Sequence, residues 1–197
     1  SSVYGDSPIL PKVEEQIGRP LSPYAVTKYT NELYGKIFYD TYQFPVIGFR
    51  YFNVFGPNQN PNNPYAAVIP IFCKNFIEGV KPIIYGDGIT SRDFTFVENA
   101  VQANIKALFI PPFDKHEVMN VACGDQISLN QLVESLQKIS KKNIKAIYEP
   151  ERKGDVKHSK ADIKKISLKL GYKPHTSFKE GLKQTFSWYE KKYKLNI

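Results

Sequence analysis

The feature that most constrains the fold is an early helix followed at once by a buried strand. Ser22 is a favoured helix N-cap and Pro23 suits the first helical position, so a helix is predicted from Ser22 to about Tyr42, before Pro45. The run Val46–Phe52 is continuously apolar and favours β-structure, as expected for a parallel strand covered on both faces. A long helix that feeds such a strand is one step of an α/β fold.

The rest of the chain continues this alternation. Residues 1–5 resemble the tail of a strand, and further strands are predicted at 82–86, 90–96, 118–122 and 143–148. Helices are predicted at 66–76, 97–110, 128–141 and 159–171, with Ser159 as a cap, and from Ser177 onward. No linker is long enough to separate two independent domains.

Composition narrows the class of protein. The net charge of +8 comes from lysines spread among acidic residues late in the chain, which favours a solvated basic surface over a nucleic-acid site. No apolar run approaches the ~18 residues of a membrane span, so a soluble cytoplasmic protein without a membrane partner is expected. Cys73 and Cys123 lack the spacing of a metal site and suit small core positions.

Tyr24 and Lys28 lie four residues apart just inside the first helix, which places a phenol and an ammonium on one face. Such a pair can move a proton, although the same spacing occurs on many solvated helices. The surrounding motifs decide between these interpretations.

Five motifs, in this order, resemble those of the extended short-chain dehydrogenase/reductase family, and most closely its NAD-dependent nucleotide-sugar epimerases of the UDP-N-acetylglucosamine 4-epimerase type. They are Ser1-Ser2-Val3-Tyr4-Gly5, Ser22-Pro23-Tyr24-x-x-x-Lys28, Arg50-Tyr51-Phe52-Asn53-Val54-Phe55-Gly56-Pro57, Gly86-Asp87-Gly88-x-x-Ser91-Arg92-Asp93-Phe94 and Gly154-Asp155-Val156.

This resemblance implies a reaction. Tyrosinate takes the proton of the sugar 4-hydroxyl while NAD accepts hydride, and the 4-keto sugar turns over and is reduced on its other face. A free phenol, with a pKa of about 10, is a weak base at neutral pH unless positive charge stabilises the phenolate. In such enzymes the residue matching Lys28 supplies that charge and holds the NAD ribose.

The resemblance also implies roles for individual residues. Tyr24, Lys28 and Tyr51 would contact NAD, and Ser1 and Ser2 would line the sugar pocket. Asn53, Arg92 and, as a second candidate, Arg152 would contact the diphosphate, and Asp155 would accept from the uridine ribose. The segments that enclose uracil would contain Ala67, Val68, Ile83, Ile84 and Tyr85.

Ser159 bears on the choice of sugar. A bulky tyrosine occupies this place in family members limited to glucose and galactose, so a small serine implies room for an N-acetyl group. N-acetylated UDP-sugars are therefore the expected substrates.

Two parts of the family pattern are missing. No glycine-rich dinucleotide turn is present, and the serine or threonine that shares the proton with tyrosine falls outside the chain. Residues 1–60 are therefore predicted to be the remainder of a Rossmann-like NAD-binding domain with its catalytic helix. Residues 61–197 are predicted to form mainly a smaller α/β lobe for the UDP-sugar, with some segments returning to the Rossmann core. The isolated chain is expected to be inactive.

Three other functions remain open. A nucleotide-sugar dehydratase or decarboxylase would carry an Asp-Glu pair where Ser1 and Ser2 stand. A UDP-hexuronic acid 4-epimerase would share all of these motifs, and a non-catalytic uridine-nucleotide-binding module would lack turnover. In this family the tyrosine helix commonly pairs with its twin, which implies a homodimer with Leu33, Ile37 and Phe38 in the interface, unless these side chains face the sheet.

Overall fold

A computed structural model describes residues 1–62, 67–151 and 157–194 of the chain. Its first long element is helix α1, Pro23–Tyr42, which confirms the predicted bounds. The Ser22 side chain accepts a hydrogen bond from the Ala25 N–H at 3.1 Å, and Gln43 ends the helix in the left-handed conformation, with φ 52°. Both ends of α1 are thus fixed by local chemistry.

Strand β1, Ile47–Tyr51, pairs in parallel with β6, Glu117–Val121. The register runs from Ile47 opposite Glu117 to Tyr51 opposite Val121. Of the β1 residues only Arg50 is buried, and the others are half-buried or exposed. The prediction of a strand covered on both faces was therefore wrong. Within the described residues β1 has one neighbouring strand, β6.

The other elements confirm an α/β architecture. Strand β2 pairs in parallel with β5, β3 pairs in parallel with β8, and β4 pairs antiparallel with β7. These strands are β2 Val54–Phe55, β3 Ile83–Tyr85, β4 Ser91–Arg92, β5 Thr95–Phe96, β7 Ile127–Ser128 and β8 Ile147–Glu149. The helices are α2 Val68–Glu78, α3 Val97–Leu108, α4 Leu129–Ser140, α5 Lys164–Leu170 and α6 Phe178–Lys194.

Two large apolar clusters hold these elements together. One is rich in aromatic rings and lies among α2, α4, α6 and β5, with members such as Phe55, Phe76, Phe96, Leu136 and Tyr189. The other packs α3 and α5 against β6, with Ala103, Met119, Val121, Ile166 and Tyr172 fully or almost fully buried. Cys73 belongs to the first cluster, as its predicted core position requires, whereas Cys123 is half-buried.

Three local predictions were wrong. Ser2–Tyr4 form a 3₁₀ turn instead of a strand tail, because the Tyr4 and Gly5 N–H groups bond to the carbonyls of Ser1 and Ser2. The single strand predicted at 90–96 is two short strands, β4 and β5, with Asp93 in the break. Helix α5 begins at Lys164, not after Ser159, because the Asp162 carboxylate accepts from the Lys164 N–H at 2.7 Å.

In the part of the chain that the structure describes, no helix is both long and apolar enough to cross a membrane. Over the same residues, no three His, Cys, Asp or Glu side chains gather in a way that could hold a metal ion.

Candidate active site

Two cavities share a wall made by Asn53 and Arg92. The larger has a volume of about 760 Å³, and its lining includes four of the predicted uracil residues: Ala67, Val68, Ile83 and Tyr85. The smaller has a volume of about 330 Å³, and its lining includes the three predicted sugar-pocket residues: Ser1, Ser2 and Ser159. Asn53 and Arg92, both predicted to contact the diphosphate, thus stand between the predicted base pocket and the predicted sugar pocket.

Among the described residues, the predicted site residues Ile84, Tyr51, Tyr24 and Lys28 line neither of these cavities. Ile84 is 1% exposed in the aromatic cluster, because successive side chains of a strand point to opposite faces and its neighbours Ile83 and Tyr85 face the larger cavity. Tyr51 lines a third cavity, of about 470 Å³, and its hydroxyl lies 3.0 Å from Asn104 Oδ1. Arg152 and Asp155 lie outside the described residues.

Asn53 reaches the shared wall through an unusual backbone conformation. It follows the carboxyl end of β1 with a φ of 35°, in the left-handed region that asparagine tolerates better than most residues. Its side-chain amide donates to the Asp93 carbonyl at 3.1 Å. The end of β1 is thereby tied to the break between β4 and β5.

Arg92 is held from behind by backbone carbonyls. Its Nη1 donates to the carbonyls of Ser91 at 3.0 Å and Lys157 at 3.3 Å. The Lys157 carbonyl also accepts from the Ser91 N–H, and the Ser159 N–H donates to the Ser91 carbonyl. These contacts orient the guanidinium of Arg92 at the shared wall, and a guanidinium is a group that suits the oxygens of a diphosphate.

The segment 157–159 is also fastened through side chains. Ser91 Oγ lies 2.8 Å from His158 Nδ1 and accepts from Gln126 Nε2 at 3.0 Å. Ser91 is 6% exposed and Ser159 is 7% exposed. Ser159 is therefore a buried wall residue of the smaller cavity and does not cap helix α5.

Helix α1 begins at the rim of the smaller cavity, since Ser22 and Ala25 belong to its lining. Tyr24, between them, is 63% exposed, and Lys28 is exposed one turn later. The Lys28 ammonium lies 5.2 Å from the centroid of the Tyr24 ring. The phenol and the cation thus share a face, side by side and open to a molecule that approaches from outside.

Sequence reasoning missed Lys12. This side chain lines the smaller cavity, is 4% exposed, and donates to the Ser7 carbonyl. Burial lowers the pKa of Lys12, because the charged form loses hydration. Lys12 and Arg92 are the basic side chains in the lining of this cavity. Among the described residues, no aspartate or glutamate side chain belongs to that lining. A lysine in a loop without periodicity gave no signal that it would be buried.

Tyr4 was also missed as a wall residue. Its hydroxyl donates to Asn120 Oδ1 at 2.6 Å and accepts from Arg50 Nη1 at 3.1 Å. Burial raises the pKa of Tyr4 to about 12, although the Arg50 charge acts in the opposite direction. Tyr4 therefore stays a neutral phenol, which leaves Tyr24 as the accessible tyrosine at the rim of this cavity.

Comparison with known proteins places these features in a family. The GDP-mannose 4,6 dehydratase family model matches residues 1–185. A UDP-glucuronate 4-epimerase of Thermodesulfobacterium geofontis is 37% identical over 192 residues, which are 95% of this chain.

Two solved structures share the fold. The UDP-N-acetylglucosamine 4-epimerase of Methanobrevibacter ruminantium M1, solved with UDP-N-acetylmuramic acid, is 42% identical over 98% of this chain, with a TM-score of 0.91. The UDP-glucuronic acid 4-epimerase of Bacillus cereus, solved with UDP-glucuronic acid and NAD, is 31% identical over 98%, with a TM-score of 0.89.

The match is to part of each relative. The chain spans 56% of the length of the Thermodesulfobacterium protein, and 61% and 60% of the two solved chains. Over that part, the family model and the fold agree. This chain belongs to the GDP-mannose 4,6 dehydratase family, within the extended short-chain dehydrogenases/reductases that include the UDP-sugar 4-epimerases.

Proposed function

We propose that the protein containing this chain is an NAD-dependent UDP-sugar 4-epimerase that acts on UDP-N-acetylglucosamine and UDP-N-acetylgalactosamine. One observation carries the proposal: the larger and the smaller cavity meet at Asn53 and Arg92, and the helix of Tyr24 and Lys28 begins at the rim of the smaller one. A UDP-sugar has the same order of parts, with the base and the sugar on either side of a diphosphate.

The larger cavity suits a uridine. Its volume is within the ~300–1,000 Å³ of ordinary ligand pockets, and its walls are mainly apolar, with side chains such as Val68 and Ile83 beside polar groups of the shared wall. Apolar walls can cover both faces of a planar base. Arg92 then meets the diphosphate where the cavity joins its neighbour.

At the sugar end, the exposed pair on α1 supplies the proton chemistry. Tyr24 would take the proton of the sugar 4-hydroxyl, and Lys28 would stabilise the phenolate and hold the cofactor ribose. NAD, when bound, would accept and return the hydride. The exposure of both side chains leaves room for a cofactor beside them.

Replacement of Tyr24 by phenylalanine tests the proposal in the intact protein. We expect kcat to fall by about 10³-fold or more, because a general base typically contributes ~10²–10⁴, while UDP binds almost as before. Tyr34→Phe is the matched control, since Tyr34 lies on the same helix and is also 63% exposed. Near-normal turnover of the Tyr24→Phe protein would contradict the assignment of Tyr24 as the catalytic base.

The preference for N-acetylated sugars is supported by Ser159, whose small side chain lines the smaller cavity.

A second function, 4-epimerisation of a UDP-hexuronic acid, is favoured by Lys12, a buried cation in the same lining that suits a sugar carboxylate. Turnover of UDP-N-acetylglucosamine, UDP-glucose and UDP-glucuronic acid by the intact protein ranks the two. The first function predicts the highest kcat/KM for the N-acetyl sugar, and the second predicts it for the uronic acid.

We also propose that the intact protein is a homodimer through α1. Leu33, Ile37 and Phe38 are 46%, 57% and 47% exposed, so these apolar side chains do not face the sheet. Paired helices would remove them from water. Sedimentation of the intact protein at micromolar concentration measures its state, and a monomer would contradict this proposal.

A further inference from the structure

A buried carboxylate lies directly behind the wall that the two cavities share. Asp93 follows Arg92 in the break between β4 and β5 and is fully buried. Its Oδ1 accepts from the Cys123 N–H at 3.0 Å, and its Oδ2 accepts from the Gly124 and Ala161 N–H groups, both at 3.1 Å. One side chain thus joins three separate segments of the chain.

Two of these segments, that of Asp93 itself and that of Ala161, lead to wall residues. The Asp93 carbonyl accepts the side-chain amide of Asn53. Ala161 is two residues from Ser159, whose N–H bonds to the Ser91 carbonyl. The position of Asp93 therefore fixes Asn53, Arg92 and Ser159 relative to one another, although its own side chain lines neither cavity.

We propose that Asp93 is a positioning residue for diphosphate recognition: its carboxylate gathers three backbone N–H groups and so holds Asn53 and Arg92 at the spacing that a nucleoside diphosphate requires. This inference rests on the proposed function, which supplies the diphosphate. It assigns Asp93 a role through its neighbours, without contact to the substrate.

The charge state of Asp93 fits this role. Burial raises the pKa of Asp93 to about 6, and the three N–H donors oppose that rise while the nearby Asp125 adds to it. At neutral pH the group is therefore mainly ionised, and an ionised carboxylate offers acceptors to all three donors. Replacing this carboxylate by a group that also carries a hydrogen-bond donor should cost free energy, because the new donor would face a backbone N–H group and neither would have an acceptor.

Asp93→Asn in the intact protein is the first test. The amide has nearly the same shape, but its NH₂ group would face either the Cys123 N–H or the N–H groups of Gly124 and Ala161. We expect the Kd for UDP to rise about tenfold or more, as when a charge-assisted contact is misplaced, and the Kd for uridine to change less than about twofold. With the UDP-sugar substrate, KM should rise more than kcat falls, because Tyr24 lies on another element.

Asp125→Asn is the matched control, since it removes the same charge at an exposed neighbouring position. An equal loss of UDP and uridine binding by Asp93→Asn would show a general packing role and overturn the proposal, as would unchanged UDP binding. A native protein that binds no UDP would remove the proposed function itself. A native protein that binds UDP as tightly as its Asp93→Asn variant would remove only this inference.

A second measurement needs no variant and so does not depend on Asp93→Asn folding. Saturation of the native protein with UDP should slow amide hydrogen exchange at Cys123, Gly124 and Ala161 by about tenfold, because the ligand favours the state in which these bonds are formed. Uridine should slow it less, and the Phe109 amide, bonded at the end of α3, should not respond. Unchanged exchange at all three amides in the presence of UDP would overturn the proposal.

Discussion

The two halves of the candidate site are built in opposite ways. The wall around Asn53, Arg92 and Ser159 is joined by hydrogen bonds from several segments and lies behind a fully buried carboxylate. Helix α1, which presents Tyr24 and Lys28, has Ala25 as its buried side chain and leaves most of its surface exposed. The proposed recognition thus rests on a wall joined by hydrogen bonds, while the proposed chemistry rests on a helix with few buried apolar side chains.

The main anchor of α1 is an ion pair. Arg50 donates from Nε and Nη2 to the two carboxylate oxygens of Glu32, both at 2.8 Å, and its Nη1 bonds to Tyr4 and to the Glu14 carbonyl. The side chains of Arg50 and Glu32 are only 6% and 15% exposed. A buried ion pair of this kind adds little net stability compared with an apolar contact, but removing one partner is costly because it leaves the other charge buried and unpaired.

The largest expected effect comes from breaking this anchor. Glu32→Ala leaves the Arg50 guanidinium buried without its carboxylate, and should lower the free energy of unfolding by about 3 kcal/mol. Asp40→Ala, which removes the exposed pair with Lys36 on the same helix, should cost less than about 0.5 kcal/mol. Urea unfolding measures both changes. Equal costs would mean that α1 is held by something other than Arg50.

An intermediate effect is expected in the smaller cavity. Ser159→Tyr should lower kcat/KM for UDP-N-acetylglucosamine by about 10–100-fold, because a ring fills space that an acetyl group needs, a steric loss of roughly 1–3 kcal/mol. UDP-glucose turnover should change less. Lys12→Met keeps the volume and removes the cation, so it should affect UDP-glucuronic acid alone. Parallel losses for all three substrates would show that the wall had collapsed instead of changing its selectivity.

The smallest effect is expected from the caps. Ser22→Ala and Ser177→Ala each remove a side-chain acceptor from a helix start, and each should cost about 1 kcal/mol in thermal or urea unfolding. Only Ser22→Ala should also lower kcat, because α1 begins at the cavity whereas α6 begins elsewhere. An equal kcat for the two variants would weaken the link between the start of α1 and the chemistry.

Local chemistry explains what the sequence could predict. The ends of α1 and the start of α4, where Ser128 and Gln131 form a capping box, depend on contacts within four residues, and the sequence predicted the positions of both helices. The family resemblance predicted a common ligand group for Asn53 and Arg92, because each residue lies in a contiguous motif that can be recognised in the sequence. Periodicity also separated strand from helix wherever one face was apolar.

Long-range hydrogen bonds explain what it could not predict. The donors to Asp93 lie 30, 31 and 68 residues away, and nothing in the Arg92-Asp93 dipeptide distinguishes a buried acceptor from a surface ion pair. The alternation of side chains at 90–96 indicated one strand, because this pattern depends only on the spacing of apolar residues. It carries no information on the hydrogen bonds of Asp93, which lies between β4 and β5. Lys12 was missed for the same reason, since tertiary contacts alone bury it.

The wall that Asn53 and Arg92 lend to both cavities has a consequence for binding thermodynamics. A UDP-sugar that spans this wall would bind in both cavities at once. Binding of its base in the larger cavity would then place the sugar at a high effective concentration in the smaller one. A sugar without its nucleotide gains none of this chelate advantage. Free N-acetylglucosamine should therefore be ignored even at concentrations far above those at which the nucleotide-linked sugar saturates the site.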